Sequence, residues 1–170
     1  MPDYPPLNWE DMYQDGDTPW YDGSPWTPLE RLVSEACPLE GSILEVGCGY
    51  GVDAINLASL GYHVKATDLS ETAIARARAD GDRAGVRVDF QVEDFYACPD
   101  DAQYDLVYEK SVMANAQNAS MRNEFSRLAA SVLTDGGHCI SVSGNNDNLN
   151  SDGPGRDERG YPKVVGSRTR

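Results

Sequence analysis

The stretch SILEVGCGYGVDAINLAS, residues 42–59, constrains the fold of this chain more than any other. An apolar run enters three closely spaced glycines, Gly47, Gly49 and Gly51, and continues with the apolar spacing of a helix. Such a turn is typical of nucleotide-binding sites at the edge of a parallel sheet, because residues without a Cβ let the backbone approach a ligand closely. The stretch therefore predicts an α/β fold with a ligand at this turn, the alternative being a structural turn that binds nothing.

The rest of the chain repeats the alternation of strand and helix. Thr27 is expected to cap a helix that has Pro28 in its first turn. Ser70 is expected to cap another helix that ends before Gly81. Strands alternating with helices of this length indicate a parallel sheet with helices on both faces. The pattern predicts strands at 42–46, 63–68, 86–92, 104–110 and 138–144, and helices at 27–36, 51–60, 70–80 and 121–133.

Three regions of the chain differ in composition. Residues 1–26 hold all three tryptophans and five of the ten prolines, and we expect an irregular arm with one helical turn near residues 8–13. Residues 27–144 carry the alternation and form one domain, which suits a chain of 170 residues. Residues 145–170 are polar and rich in turn formers, so they predict a loop or a disordered tail.

The composition argues against several classes of partner. The chain has 28 acidic and 14 basic residues, a formal net charge of −14, which disfavours nucleic acid and anionic membranes. No apolar run approaches the roughly 20 residues of a membrane helix, and the N-terminus does not resemble a secretory signal. Neither the four cysteines nor the two histidines have the spacing of metal ligands, so no metal site is predicted. The expectation is a cytoplasmic protein with free thiols.

The glycine spacing indicates which kind of ligand the turn binds. The dinucleotide fingerprint G-x-G-x-x-G would need a glycine at position 52, which is occupied by Val52. Glu45 places a carboxylate at the strand end, which disfavours a pyrophosphate but suits a cofactor with an amino group and a sulfonium. Asp68 ends the second strand, where an acidic side chain can accept both ribose hydroxyls. Its alternative role is as a partner of the following helix start.

The third strand ends in VEDF, where Asp94 is placed to accept from an adenine amine. Phe95 or Tyr96 would then flank the adenine ring. The alternatives are a surface carboxylate at Asp94 and a core residue at Phe95. Cys48 lies inside the glycine turn, where a small filler is a more natural role than a nucleophile.

Four motifs in order, ILEVGCGYG, ATDLS, VEDF and YDLVYEKSV, carry a resemblance to a known family. Over roughly residues 27–144 the chain resembles the class I S-adenosylmethionine-dependent methyltransferases. The resemblance implies a Rossmann-like three-layer α/β fold with strand order 3-2-1-4-5, and S-adenosylmethionine as the cofactor. The cofactor-binding residues that it implies are Glu45, Gly47, Cys48, Gly49, Tyr50, Asp68, Leu69, Glu93, Asp94, Phe95 and Glu109.

Candidate residues for the methyl acceptor follow the fourth strand. Glu109 and Lys110 are the candidate catalytic residues, because an amine or hydroxyl acceptor must lose a proton whereas a thiolate or halide need not. Tyr108 and Met113 are candidates for the wall of the acceptor pocket. The alternative for Glu109 and Lys110 is a local ion pair or a loop surface.

The arm supplies the other acceptor-side candidates, Trp20 and Trp26, as part of a lid or of an arm packed across a helix. Its pattern W...Y..G.TPW..G.P looks like the thiopurine S-methyltransferase-like group, which includes thiol and halide enzymes. YDLVYEKSV also looks like the elongation-factor lysine methyltransferases, but departs from them at Glu109 and Ser111. We favour a small-molecule methyl acceptor. A protein-lysine methyltransferase, and a non-catalytic cofactor-binding module or truncated form, are the alternatives.

Members of the family usually add a helix and two further strands after strand five. No such pattern is visible before Arg170, so the last two family strands are expected to be missing. The sheet edge would then lie open, and a second copy of the chain pairing along it would give a homodimer.

Overall fold

The computed structural model describes residues 8–97, 103–116 and 118–142, and it confirms the predicted α/β fold and strand order. The five strands pair in parallel in the order β3-β2-β1-β4-β5. They are β1 (Ser42–Val46), β2 (His63–Asp68), β3 (Asp89–Val92), β4 (Tyr104–Lys110) and β5 (Leu133–Val142). The helices of the described ranges are α1 (Trp9–Asp15), α2 (Leu29–Ala36), α3 (Val52–Ser59), α4 (Glu71–Ala84), α5 (Val112–Asn115) and α6 (Ala119–Ser131).

The central strand β1 is buried on both faces, which explains its continuous apolar run. Because successive side chains of a strand point to opposite faces, Ile43 joins the core beneath α2, α3 and α4. Leu44 and Val46 join a second core beneath α6. The chain therefore forms three layers, with helices on each face of the sheet.

Several boundaries differ from the sequence prediction. Pro28 occupies the N-cap position of α2 without a side-chain hydrogen bond, so the prediction of Thr27 as the cap was wrong. Helix α4 runs through Gly81 to Ala84, with Gly85 as its C-cap. It continues because the small Gly81 lies against the ring of Phe90, and this packing outweighs the low helix propensity of glycine. Ser70 caps α4 as predicted and accepts from the Ala73 amide at 3.0 Å.

The edges of three other elements also shift. Strand β3 begins at Asp89 rather than at residue 86, and α6 begins at Ala119, where the Asn118 side chain caps it. Strand β5 begins at Leu133, because Tyr104 pairs with Leu133 while Leu106 pairs with His138, so residues 134–137 bulge out of the ladder. These residues are the TDGG segment, for which the sequence predicts a turn.

We call residues 9–26 the N-terminal strap. Its helix α1 docks on the start of α4, where Glu10 accepts from the Ser70 hydroxyl at 2.5 Å and from the Thr72 hydroxyl at 2.6 Å. The Thr72 amide also donates to Glu10 at 3.3 Å. A carboxylate is favoured at a helix N-terminus, and these hydrogen bonds lower the pKa of Glu10 to about 2. The strap is thus fastened beside the second strand.

Aromatic rings hold the strap against the glycine turn. The ring centroid of Tyr50, in the turn, lies 5.0 Å from that of Tyr13 and 4.8 Å from that of Tyr21, both edge-on. The guanidinium of Arg76 lies 3.9 Å from the Tyr50 centroid and 5.1 Å from the Tyr21 centroid. Edge-on ring pairs and a stacked cation are favourable contacts, so the strap crosses the turn as an ordered layer.

Other expectations lie partly or wholly outside the described residues. The polar tail at 145–170 and the lack of strands after β5 concern residues 143–170, which are outside them. Within the described ranges β5 is an edge strand, and pairing with a second copy stays a prediction. None of the helices in these ranges has both the length and the apolar character needed to cross a bilayer.

Gly51 should be required for packing as well as for its backbone conformation. Its φ is +72°, and a Cβ there would lie 2.6 Å from Cε1 of Phe90 and 2.9 Å from Cβ of Ala77. Gly85 has the same φ of +72° with no atom within 4 Å of a Cβ. We expect Gly85→Ala to lower the free energy of unfolding by about 1–2 kcal/mol. Gly51→Ala should lower it by about 1–3 kcal/mol more. Urea denaturation measures both, and equal losses would contradict the steric argument.

Docking of the strap should depend on the charge of Glu10. Because the docked pKa of about 2 lies below the ordinary 4.5, the contribution is complete above about pH 4.5 and is lost as the pH falls through 2. At neutral pH, Glu10→Gln should speed hydrogen exchange in peptides of residues 9–24. Glu124→Gln is the matched control, because Glu124 is a partly exposed carboxylate on α6 whose hydrogen bonds to Arg127 also lower its pKa. Indistinguishable exchange in the Glu10 and Glu124 variants would show that Glu10 does not hold the strap.

Candidate active site

The carboxyl ends of β1, β2 and β4 lie side by side, so the segments that follow them share one edge of the sheet. The glycine turn after β1 is fixed to its neighbour, because the amides of Gly47 and Cys48 both donate to the Thr67 carbonyl, at 2.8 and 2.9 Å. These two hydrogen bonds fix the position of the turn at the carboxyl edge of the sheet.

The turn forms a narrow floor between two walls. A Cβ on Gly49 would lie 2.7 Å from the hydroxyl of Tyr13 in the strap, and a Cβ on Gly47 would collide with Val112 of α5. Both glycines have positive φ, at +54° and +70°. Only residues without a Cβ therefore fit between the strap and α5.

Glu45 provides an unsatisfied acceptor just below this floor. Its side chain is 4% exposed, and its Oε2 atom has no hydrogen-bond partner among the described residues. Burial raises the pKa of Glu45 well above its ordinary value, the nearby Asp53 raises it further, and Lys110 opposes the rise. A buried acceptor of this kind calls for a donor, and a cationic amino group is the donor that best offsets its charge.

Asp68 links the glycine turn to the start of α4. Its Oδ2 atom accepts from the Gly49 amide at 2.8 Å, and its Oδ1 atom accepts from the Ser70 amide at 3.0 Å. Burial raises its pKa, and these amide bonds oppose the rise. Each carboxylate oxygen can accept a second hydrogen bond, so the local structural role and a role toward ribose hydroxyls are compatible.

The other predicted residues of the turn have different surroundings. Cys48 is buried, and burial with the nearby Glu45 and Asp68 raises the pKa of its thiol well above the ordinary value, so it fills space. Tyr50 is buried among the aromatic rings of the strap. Leu69 is 53% exposed directly after Asp68, and offers an apolar surface to a ligand.

The three predicted residues after β3, Glu93, Asp94 and Phe95, have different surroundings. Glu93 forms an ion pair with Lys65 at 3.0 Å. Asp94 is exposed and accepts from the Tyr96 amide at 2.9 Å. Phe95 is buried with its ring centroid 5.1 Å from that of Phe125, so it packs in the core beneath α6 rather than beside a ligand, contrary to the expectation of a ring that flanks adenine.

The two candidate catalytic residues point to opposite faces of β4. Glu109 is fully buried, and its Oε2 atom accepts from the amides of Val112 at 2.7 Å and Met113 at 3.1 Å. The Ser141 hydroxyl donates to its other oxygen. Glu109 therefore holds α5 in place, and the structure does not bring it together with Lys110.

Lys110 belongs to a cluster on the other face. Its ammonium lies 2.9 Å from Oδ2 of Asp53, a side chain that is only 3% exposed. Tyr108, fully buried, donates to the same oxygen at 3.0 Å, so it cannot form the wall of an open acceptor pocket as predicted. The backbone amide of Trp26 donates to Oδ1 at 2.7 Å. Lys110 therefore pairs with Asp53, a partner that was not predicted, and not with Glu109 in the local ion pair given as the alternative.

Two further candidates lie at the periphery of the crevice. Trp20 is 43% exposed on the strap, edge-on to Trp9 with centroids 5.7 Å apart. Met113 is half-buried in α5, with its sulfur 3.6 Å from the Ser141 hydroxyl. Their roles toward an acceptor stay predictions.

Sequence reasoning missed Asp53, Glu10 and Arg76. One sign was available for Asp53, since a carboxylate interrupts an otherwise apolar first turn after the glycines. For Glu10 and Arg76 the sequence contains no such sign, because both look like ordinary charges on a helix surface. A separate groove near Ser42 and His63 lies at the amino ends of the strands, the edge opposite the glycine turn, where open α/β sheets do not bind their ligands.

Comparison with known proteins places this geometry in a family. Residues 43–137 match the family described as "Methyltransferase domain". The chain is 28% identical over 136 residues to a probable thiol methyltransferase 2 of Arabidopsis thaliana and 31% identical over 137 residues to a thiocyanate methyltransferase 1 of Brassica oleracea. Each alignment covers 79% of this chain and 60% of the relative, so the chain spans about three-fifths of the length of these relatives.

A solved structure supports the fold. An S-adenosylmethionine-dependent methyltransferase from Thiobacillus denitrificans, in complex with S-adenosyl-L-homocysteine, aligns with a TM-score of 0.63 at 18% identity. The alignment covers 79% of this chain and 55% of that one. The family match spans more than half of the residues, from β1 into β5. The chain belongs to the methyltransferase domain family.

Proposed function

We propose that the chain binds S-adenosylmethionine and transfers its methyl group to a small nucleophile of the thiolate or halide type. The observation that carries the proposal is the unpartnered, buried Oε2 atom of Glu45 at the end of β1, with the glycine turn and Asp68 beside it. Two carboxylates at this edge suit a ligand that presents an amino group and hydroxyls. Membership of the methyltransferase domain family supports the same cofactor.

The described residues fit this cofactor. Glu45 would accept from its amino group, Asp68 from its ribose hydroxyls, and the backbone of Gly49 would lie against its chain. Leu69 would cover one face of the adenine, and Asp94 would accept from the adenine amine. When bound, the cofactor supplies a methyl group already activated on a sulfonium, so the protein's own task is to orient the reactants and exclude water.

A thiolate or halide acceptor agrees best with the residues around the crevice. Its lone pair forms the new bond to the methyl carbon while the old bonding pair stays on the cofactor sulfur, so no proton has to be removed. Glu109, the predicted base, is committed to the amides of α5 and is fully buried. Lys110 carries a positive charge at the crevice edge that would favour an anionic acceptor. The thiol and thiocyanate methyltransferases among the relatives support this choice.

In this proposal the strap is the lid of a domain formed by residues 27–144, and the protein works in the cytoplasm as its composition predicts. Cys37, Cys48 and Cys139 are free thiols, which suits a reducing compartment. Closure of the strap over the glycine turn would exclude water from the crevice.

Removing the charge of Asp68 should weaken the cofactor site. Asp68→Asn keeps the shape of the side chain but removes its negative charge, so the charge-assisted hydrogen bonds to the cofactor, each worth about 1.5–3 kcal/mol, are weakened or lost. We expect its affinity for S-adenosylhomocysteine, measured by calorimetry, to fall by roughly 10- to 150-fold. Asp105→Asn is the control, because Asp105 also accepts from a backbone amide, that of Ser42, but at the opposite edge of the sheet. Absence of binding to the wild-type protein would refute the proposed cofactor.

The acceptor class can be tested with a labelled methyl group. We expect label transfer to bisulfide, thiophenol and iodide. For the two sulfur acceptors, the pH dependence of the rate should follow the ionisation of the acceptor rather than the ionisation of a group of the protein. Phenols and total cell protein, offered in parallel, should stay unlabelled. Label found on protein lysines instead would replace the small-molecule proposal with a protein methyltransferase.

A further inference from the structure

Asp53 is a buried carboxylate in the first turn of α3, and the proposed chemistry gives it no task. Its side chain is 3% exposed, yet it is not an isolated charge. Three donors surround it: the Trp26 amide at 2.7 Å, the Tyr108 hydroxyl at 3.0 Å and the Lys110 ammonium at 2.9 Å. A buried carboxylate with this many partners fixes the position of each.

The donors come from different parts of the molecule. Trp26 is the last residue of the strap, whereas Tyr108 and Lys110 lie on β4. The strap is thus fastened at both ends to the helices that flank the glycine turn, by Glu10 on α4 and by Trp26 on α3. The second attachment shares its carboxylate with a residue at the end of β4.

The two sides of the Asp53–Lys110 pair differ in exposure. The Lys110 side chain is 41% exposed, whereas that of Asp53 is 3% exposed. The carboxylate therefore lies behind the ammonium, which reaches the edge of the crevice at the carboxyl end of β4. An ammonium has three N–H donors, and the hydrogen bond to Asp53 uses one of them. That bond fixes where the Lys110 ammonium lies and leaves two donors for a ligand.

We propose that Asp53 is a positioning residue that couples the strap to the acceptor side of the crevice. One carboxylate anchors the end of the strap and aims the Lys110 ammonium, so Lys110 is aligned only when the strap is docked. The inference rests on the proposed function in one respect, that Lys110 faces the methyl acceptor. The coupling itself needs only the described contacts.

The physical reason for coupling is that a buried carboxylate is stabilised by its donors together. Loss of the Lys110 ammonium leaves the Asp53 charge buried with fewer partners, which destabilises the whole arrangement, including the bond to the Trp26 amide. If Asp53 had a purely local role, as a polar residue near a helix start, then loss of the Lys110 ammonium would not change the hydrogen exchange of the Trp26 amide. The two alternatives therefore differ in a measurable quantity.

Hydrogen exchange at the Trp26 amide tests the coupling. Asp53→Asn and Lys110→Met should each speed its exchange by about tenfold or more, whereas the control Asp105→Asn should not. Lys110→Met is the decisive variant, because it leaves the acceptor of the Trp26 amide in place. It also serves as the test if Asp53→Asn does not fold. Unchanged exchange at Trp26 in Lys110→Met would overturn the proposal.

Kinetics provide a second readout. Asp53→Asn should lower kcat/KM for the acceptor by about tenfold, while the affinity for S-adenosylhomocysteine changes by less than about threefold. The double variant Asp53→Asn/Lys110→Met should be no worse than Lys110→Met alone, because Asp53 acts through Lys110. Effects that multiply would refute this relation. A wild-type protein that neither binds the cofactor nor transfers methyl refutes the proposed function instead, and exchange at Trp26 then decides the coupling.

Discussion

The reversal of strand order at β1 is the constraint on which the rest of the structure depends. Because β2 and β4 lie on either side of β1, the segments that leave these three strands meet at one edge. The Thr67 carbonyl then pins the glycine turn by two amides, and Asp68 joins that turn to α4. Without this reversal, Glu45, Asp68 and Lys110 would not lie at the ends of neighbouring strands.

Features that depend on neighbouring residues could be predicted from the sequence. The glycine turn and the capping of α4 by Ser70 follow from short patterns whose physical causes are local. The position of Asp68 could be predicted for the same reason, because a residue at the carboxyl end of a parallel strand must lie at that edge of the sheet. The strand order was implied by the family resemblance of four such patterns rather than by local chemistry, and the structure confirms it.

Features that depend on distant packing could not be predicted. Asp53 meets Trp26 and Lys110, which are 27 and 57 residues away, and neither pairing leaves a trace in the sequence. Phe95 follows a strand at the crevice, but its ring turns into the core because Phe125 is available there. Gly81 would ordinarily end a helix, yet α4 continues because that helix needs a small residue against Phe90. In each case a tertiary contact outweighs a local preference.

The carboxylate of Glu10 has one more consequence. It accepts hydrogen bonds from the hydroxyl and amide groups at the start of α4, a few residues beyond Asp68. In related sheets this corner can receive a phosphate ester attached to the ribose. Here the corner already contains an anion that belongs to the chain. A nucleoside bound as proposed would therefore meet a fixed negative charge at this corner, which would favour a free ribose hydroxyl over a phosphorylated one.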